Sequence, residues 1–247
     1  ALVMINFNTL EIVDILPNRW EETTNAYFLS IPLDERKKVK YLICDMYNPY
    51  INYTKRYFPN SIAVIDSFHI IAWILTKINN YINDIKKKFQ ARDRKIYEES
   101  CKKNNRPIDF KNLPTSKEVY LLNSFKWLLL QNVENIDYQD RPRYNHKLKA
   151  YLNTYDYEKM FFQLDKNLMN IRRLKEKYIE FNKTKEKDLS KVAVLLNNLI
   201  ILYSHSSLAM FREFSDLLKK HKQEIINSFI YITDNDGNER RLSNGPM

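Results

Sequence analysis

Two short apolar runs, Tyr41-Leu42-Ile43-Cys44 and Ile62-Ala63-Val64-Ile65, are each followed at once by an aspartate, Asp45 and Asp66. Continuous apolar runs of this length, bounded by turn residues, predict buried strands. Between them Asn48 can cap a helix with Pro49 in its first turn, and Pro59-Asn60 ends it. Parallel strands joined by one helix put both aspartates on one edge of a sheet, where open α/β folds keep their sites. Upstream, Ala1–Phe7 and Glu11–Leu16 predict two strands with a hairpin turn at Asn8-Thr9. Glu21–Ile31 predicts a helix with acids in its first turn.

After Asp66 the period changes. Phe68, Ile71, Leu75, Ile78, Ile82, Ile85 and Phe89 recur at steps of three and four, one apolar stripe down a long helix. Its charged end, from Lys86 to Lys95, projects past any small sheet. Cys101–Pro114 predicts a loop, and Thr115 with Glu118 a capping box opening a helix through Leu130. A polar, proline-containing loop spans about residues 132–145. Helices are predicted near His146–Asn153, Tyr157–Phe181, Leu189–Tyr203 and Ser207–Phe229, and a turn or mobile tail over Thr233–Arg241. Trp20, Trp73 and Trp127 are core candidates.

Charge divides this pattern. Residues 1–78 hold 8 basic and 8 acidic side chains, so the formal net charge of +10 belongs wholly to the remainder. A neutral α/β part joined to a basic helical part suits a polyanion partner, although a solvated lysine-rich surface has the same composition. The chain has only 2 glycines, which excludes glycine-rich phosphate loops. Cys44 and Cys101 have no metal-ligand spacing, and Cys44 suits a small core residue in a reducing cytoplasm. The apolar stretch around Leu195–Tyr203 is too short for a bilayer.

The stretch Cys44-Asp45-Met46-Tyr47-Asn48-Pro49-Tyr50, then Tyr57-Phe58-Pro59-Asn60, then Asp66-Ser67-Phe68-His69, resembles the core of bacterial DDE transposases of the ISL-three family. The tail Leu242-Ser243-Asn244-Gly245-Pro246-Met247 resembles the segment before that family's catalytic glutamate. The resemblance implies an RNase H-like α/β fold with an incomplete sheet and a large all-helical insertion. On it, residues 1–78 form the core without its first strand, 79–230 the basic helical insertion, and 231–247 a tail leading to the glutamate. It implies a bacterial, cytoplasmic protein that cleaves and joins DNA at insertion-sequence ends and in target DNA, with two Mg²⁺ ions. The family's first aspartate would precede Ala1 and its glutamate would follow Met247, so the chain reads as an inactive fragment. A homo-oligomer could close the gap left by the missing strand, or the strands at Ala1–Phe7 and Tyr41–Cys44 could pair directly.

By this resemblance Asp45 is the second acid of the triad and a metal ligand, since hard Mg²⁺ prefers oxygen donors. From local sequence alone it reads as an aspartate capping a helix or turn after a strand, and the family pattern reverses that reading. Asp66 and His69 are candidates for a metal or supporting role, or for a cap and a first-turn hydrogen bond. Lys86, Lys87, Lys88, Arg92, Arg94, Lys95, Arg172 and Arg173 are candidate DNA phosphate contacts, or parts of a solvated face. A second class stays open: a non-catalytic helical nucleic-acid-binding or scaffold protein whose aspartates are ordinary caps.

Overall fold

The computed structural model describes residues 1–233 and 237–242, with the side chain of Asn112 left aside. The glutamate-leading tail from Ser243 onward lies outside the described residues. The chain divides into two compact units, one of residues 1–71 with 184–247, the other of residues 72–183.

The first unit opens with β1 (Leu2–Ile5) and β2 (Ile12–Leu16), an antiparallel hairpin with an irregularity at Met4/Ile5. Helices α1 (Glu21–Ser30) and α2 (Leu33–Arg36) lead to β3 (Tyr41–Cys44), α3 (Asn48–Arg56) and β4 (Ile62–Ile65). β3 and β4 pair in parallel, Tyr41 opposite Ile62 through Cys44 opposite Ile65. Phe28, Tyr53, Tyr57 and Phe58 form an aromatic core, with Leu2 and Met4 of β1 and Leu42 of β3 packed against it. Phe28 lies 4.9 Å from the Tyr57 ring and 5.2 Å from those of Tyr53 and Phe58. β1 and β3 share this core but belong to different two-stranded sheets, so the two strands do not pair directly. Trp20 is 71% exposed and is no part of any core. α3 is capped at Tyr47 rather than at Asn48, whose own backbone is already helical.

One helix, α4 (Ser67–Lys103), follows β4 and continues into the second unit. Its buried line is Ile70, Ile74, Ile78, Ile82 and Ile85, whereas Phe68 is 62% exposed. The first turns are apolar all round, so periodicity alone does not select their inward face. In the second unit α5 (Lys117–Ser124) is capped by Ser116, whose Oγ accepts from the Val119 N–H at 3.4 Å; Thr115 is not the cap. The chain turns at Phe125 before α6 (Trp127–Leu130). Residues 146–153 are not helical: β5 (Arg143–Asn145) and β6 (Ala150–Leu152) pair antiparallel. Asn145 Oδ1 accepts from the Leu148 N–H, and Lys149 takes a positive φ of 54°, which closes a hairpin. α7 (Thr154–Phe162) and α8 (Leu168–Lys183) replace the single helix predicted over 157–181. A capping box between Asn153 and Asp156 opens α7, and Asp165 turns the chain by accepting from Asn167 N–H at 2.8 Å.

The first unit resumes with α9 (Leu189–Ser204), α10 (Ala209–Lys220) and α11 (Lys222–Asn227), the last two separated at His221. Val192, Leu196, Ile200 and Tyr203 of α9 and Phe211, Phe214 and Leu218 of α10 are buried, with Tyr203 stacked 5.5 Å from Phe211. α11 packs on β4, and Asn227 Nδ2 donates to the Ala63 carbonyl at 2.8 Å. An amide side chain thus satisfies a carbonyl of a strand that, among the described residues, pairs only with β3. β7 (Tyr231–Thr233) and β8 (Glu239–Arg241) then pair antiparallel, which fits the turn rather than the mobile tail among the two expectations for Thr233–Arg241. Arg241 anchors it, its guanidinium 3.5 Å from the Phe229 ring and its Nε donating to the Ser228 carbonyl at 2.7 Å. The fold is mixed α/β, largely helical, with small sheets only.

Candidate active site

Asp45 and Asp66 each follow the last residue of a strand, and the parallel register makes them neighbours at one sheet edge. The Asp66 N–H continues the ladder by donating to the Cys44 carbonyl at 3.0 Å. Asp45 Oδ1 accepts from the Tyr47 N–H at 2.8 Å, and Asp66 Oδ1 from the Phe68 N–H at 3.1 Å. Each carboxylate is therefore oriented by the start of the helix that follows it.

The two differ in setting. The Asp66 side chain is 18% exposed, and burial holds its carboxyl above the usual range against the opposing effects of the Phe68 N–H and His69. His69 Nε2 lies 4.0 Å from Asp66 Oδ2 on a half-exposed ring, the i,i+3 contact that the spacing predicts. Around Asp45, the Arg19 guanidinium sits 4.9 Å from the Tyr47 ring centroid. Tyr50 is the main cause of Arg19's raised pKa, and Asp45 adds a smaller effect.

A third carboxylate, Glu224 of α11, acts on Cys44 electrostatically. Burial pushes the Cys44 thiol up to about 12, and the charges of Asp45 and then Glu224 push the same way. His221, on the turn before α11, is buried; that burial lowers its pKa, with Lys220 lowering it further and Glu224 opposing. Nothing in Lys222-Gln223-Glu224-Ile225 distinguishes Glu224 from a solvated helix charge; its position follows from the packing of α11 on β4.

The basic candidates separate. Lys87, Lys88, Arg94, Lys95 and Arg173 are exposed and Lys86 is half-buried. Arg92 is exposed but engaged by Asp93 at 2.8 Å and Glu118 at 3.0 Å. Arg172 faces inward, against the expectation of a surface phosphate contact. It pairs with Glu158 at 2.5 Å, donates to Tyr138 Oη at 2.7 Å and lies over the Phe162 ring.

A family model described as a transposase, the DDE type of the ISL-three family, matches residues 1–239. The chain belongs to this transposase family. No curated protein and no solved structure matches it. Transposases act on DNA, and DDE transposases generally use a divalent metal. Among the described residues no group of three or more His, Cys, Asp or Glu side chains could hold a metal ion. The strand-end pair still suits one by its chemistry, since Mg²⁺ is commonly bound by one or two carboxylates together with substrate phosphates. Among the described residues no helix is long and apolar enough to cross a membrane.

Proposed function

We propose that this transposase chain carries part of an RNase H-like catalytic core, and that Asp45 is the triad acid at its sheet edge. The observation that carries the proposal is the in-register parallel pair that sets Asp45 beside Asp66. Bound there, two Mg²⁺ ions would activate an attacking hydroxyl and stabilise the leaving oxygen of a phosphodiester. The chain's own part is positional. The Tyr47 N–H fixes the Asp45 carboxylate through one oxygen, and Asp66, with His69 Nε2 4.0 Å away, supports the same edge. Lys86, Lys87, Lys88, Arg94, Lys95 and Arg173 supply phosphate contacts, which add affinity without sequence information and weaken as salt rises. On this proposal the substrate is insertion-sequence ends and target DNA in the bacterial cytoplasm.

The experiment is a cleavage and strand-joining assay with Mg²⁺ or Mn²⁺, on the chain as given and on one extended at both ends. The extended chain should be active and its Asp45→Ala version inactive. Activity that survives Asp45→Ala removes Asp45 from the triad. Metal-dependent activity in either chain that Asp45→Ala abolishes supports the assignment.

A further inference from the structure

From Lys86 to Ser100 no residue of α4 is buried. Over this stretch its partly covered residues include Phe89, Asp93 and Tyr97, four apart on one side. Asp93 reaches Ser116, and Tyr97 Oη donates to the Asp109 carbonyl at 3.2 Å. The opposite side is largely exposed, with Asn83 and Glu98 partly covered. Asn80, Asp84, Lys87, Ala91, Arg94 and Glu98 follow each other there at steps of three and four, one continuous helical line. Two shallow grooves run along it, one ending at Asn80 and the other at Glu98, sharing Lys87 and Gln90. Every residue lining either groove belongs to α4, so the tract is a ridge rather than a cleft. At about 1.5 Å per residue it extends roughly 27 Å.

We propose that α4 lays this ridge in the major groove of duplex DNA and reads base edges there. The inference rests on the chain being a DNA-acting transposase, but it adds sequence readout by this helix to the non-specific phosphate contacts. The major groove admits an α-helix, and the residue types suit its code. The amides of Asn83 and Gln90 each offer a donor and an acceptor, the pair that adenine presents. Arg94 and Lys87 offer the donors that guanine accepts. Ala91 lets the backbone come close and presents a methyl group to thymine. Lys86, Lys88 and Lys95 flank the line within reach of phosphates. From Asn80 to Glu98 there are six basic and three acidic side chains, the right sign for a polyanion.

Other occupants fit less well. A second copy crossing antiparallel at Ala91 would set Lys87 against Lys95 and Asp84 against Glu98, like charges at both contacts. A membrane surface finds no apolar stripe on this line. The readers are also loosely held within the chain. Lys87 pairs with Asp84 at 3.2 Å, both exposed, and the Arg94 guanidinium lies 5.8 Å from the exposed Phe110 ring.

The test uses the 247-residue chain and a pool of duplexes with a randomised centre, selected by retention at moderate salt. An enriched duplex should bind about tenfold or more tighter than its scrambled form. Asn83→Ala with Gln90→Ala should erase that preference while leaving the scrambled duplex's affinity and salt slope unchanged. Lys86, Lys88 and Lys95→Glu should weaken both duplexes together. Circular dichroism confirms that each variant keeps its helix. The proposal is overturned if no sequence is enriched, if no duplex is retained, or if enrichment is unchanged in the Asn83→Ala/Gln90→Ala variant. None of these outcomes bears on Asp45, whose role is decided separately by strand joining.

Discussion

Asp66 is mostly buried at a strand end, and that burial raises its carboxyl pKa in the folded chain. The sign of the consequence follows by linkage. A folded state that holds its proton more tightly than the unfolded state loses stability as the group ionises. Below the ordinary carboxylate pKa of about 4 both states are protonated and nothing is lost. Above the raised folded value the whole penalty applies. Asp66→Asn removes the charge and keeps an oxygen for the Phe68 N–H. Its Tm should exceed that of the parent chain at neutral pH, and the difference should close as pH falls through the carboxylate range. Thermal melts across pH check this, and a lower Tm at every pH would show that the charge stabilises the strand end. The same scale shows what the sequence could reveal of the site. The strand-end positions of Asp45 and Asp66 were legible because each follows a short apolar run bounded by turn residues. Arg172 was not, because its fate depends on three dimensions. Ile171, Leu174, Lys175 and Tyr178 are all buried around it on α8, and only the folded chain shows Glu158 and Tyr138 waiting there.

At the scale of elements, period and punctuation were enough wherever one face of an element is polar. The β1–β2 hairpin, α1, β3, β4 and α9 stand where alternation or turn residues put them. The misplaced elements have local causes. His146–Asn153 contains helix-forming residues, but Asn145 satisfies the Leu148 N–H and turns the chain into a hairpin with Tyr144 and Tyr151 paired at 5.2 Å. In the break between α7 and α8, Asp165 Oδ1 accepts from the Asn167 N–H. In α4 the length was legible and the inward face of its first turns was not. That distinction is measurable. Ile78 is 0% exposed and Phe68 62% exposed, although one apolar stripe contains both. Ile78→Ala should cost about 2–5 kcal/mol through lost burial and a residual cavity. Phe68→Ala, at a surface position, should cost no more than about 0.5 kcal/mol. Urea unfolding of both variants gives the comparison, and equal losses would mean that Phe68 is covered in solution.

At the scale of the whole molecule, the path of the chain is asymmetric between the two units. Residues 72–183 are one unbroken stretch, whereas the first unit is assembled from residues 1–71 and 184–247. The continuous unit has a core of its own, in which Ile74, Ile78, Ile82, Leu128, Leu129, Phe161, Ile171 and Tyr178 are each no more than about 1% exposed. Its buried charges are also matched internally: Arg172 with Glu158, and Lys175 with Glu176 at 2.7 Å and with the Gln131 carbonyl. Unpaired, such groups would make an excised piece unstable. The first unit has no such independence in either of its stretches. β4 is covered by α11, and the Ala63 carbonyl takes its hydrogen bond from Asn227. Residues 1–71 alone would leave Ala63, Val64 and Ile65 without that cover and would expose a strand edge. Expressed separately, residues 72–183 should therefore give a helical spectrum and a single cooperative urea transition. Residues 1–71 should be unfolded or aggregated, and should gain structure only when residues 184–247 are supplied. A non-cooperative melt for 72–183 would show that the second unit depends on the first. A soluble, cooperatively folded 1–71 would show that α11 is not needed to complete the β3–β4 pair, and that Asp45 and Asp66 owe their common edge to the local strand–helix–strand unit alone.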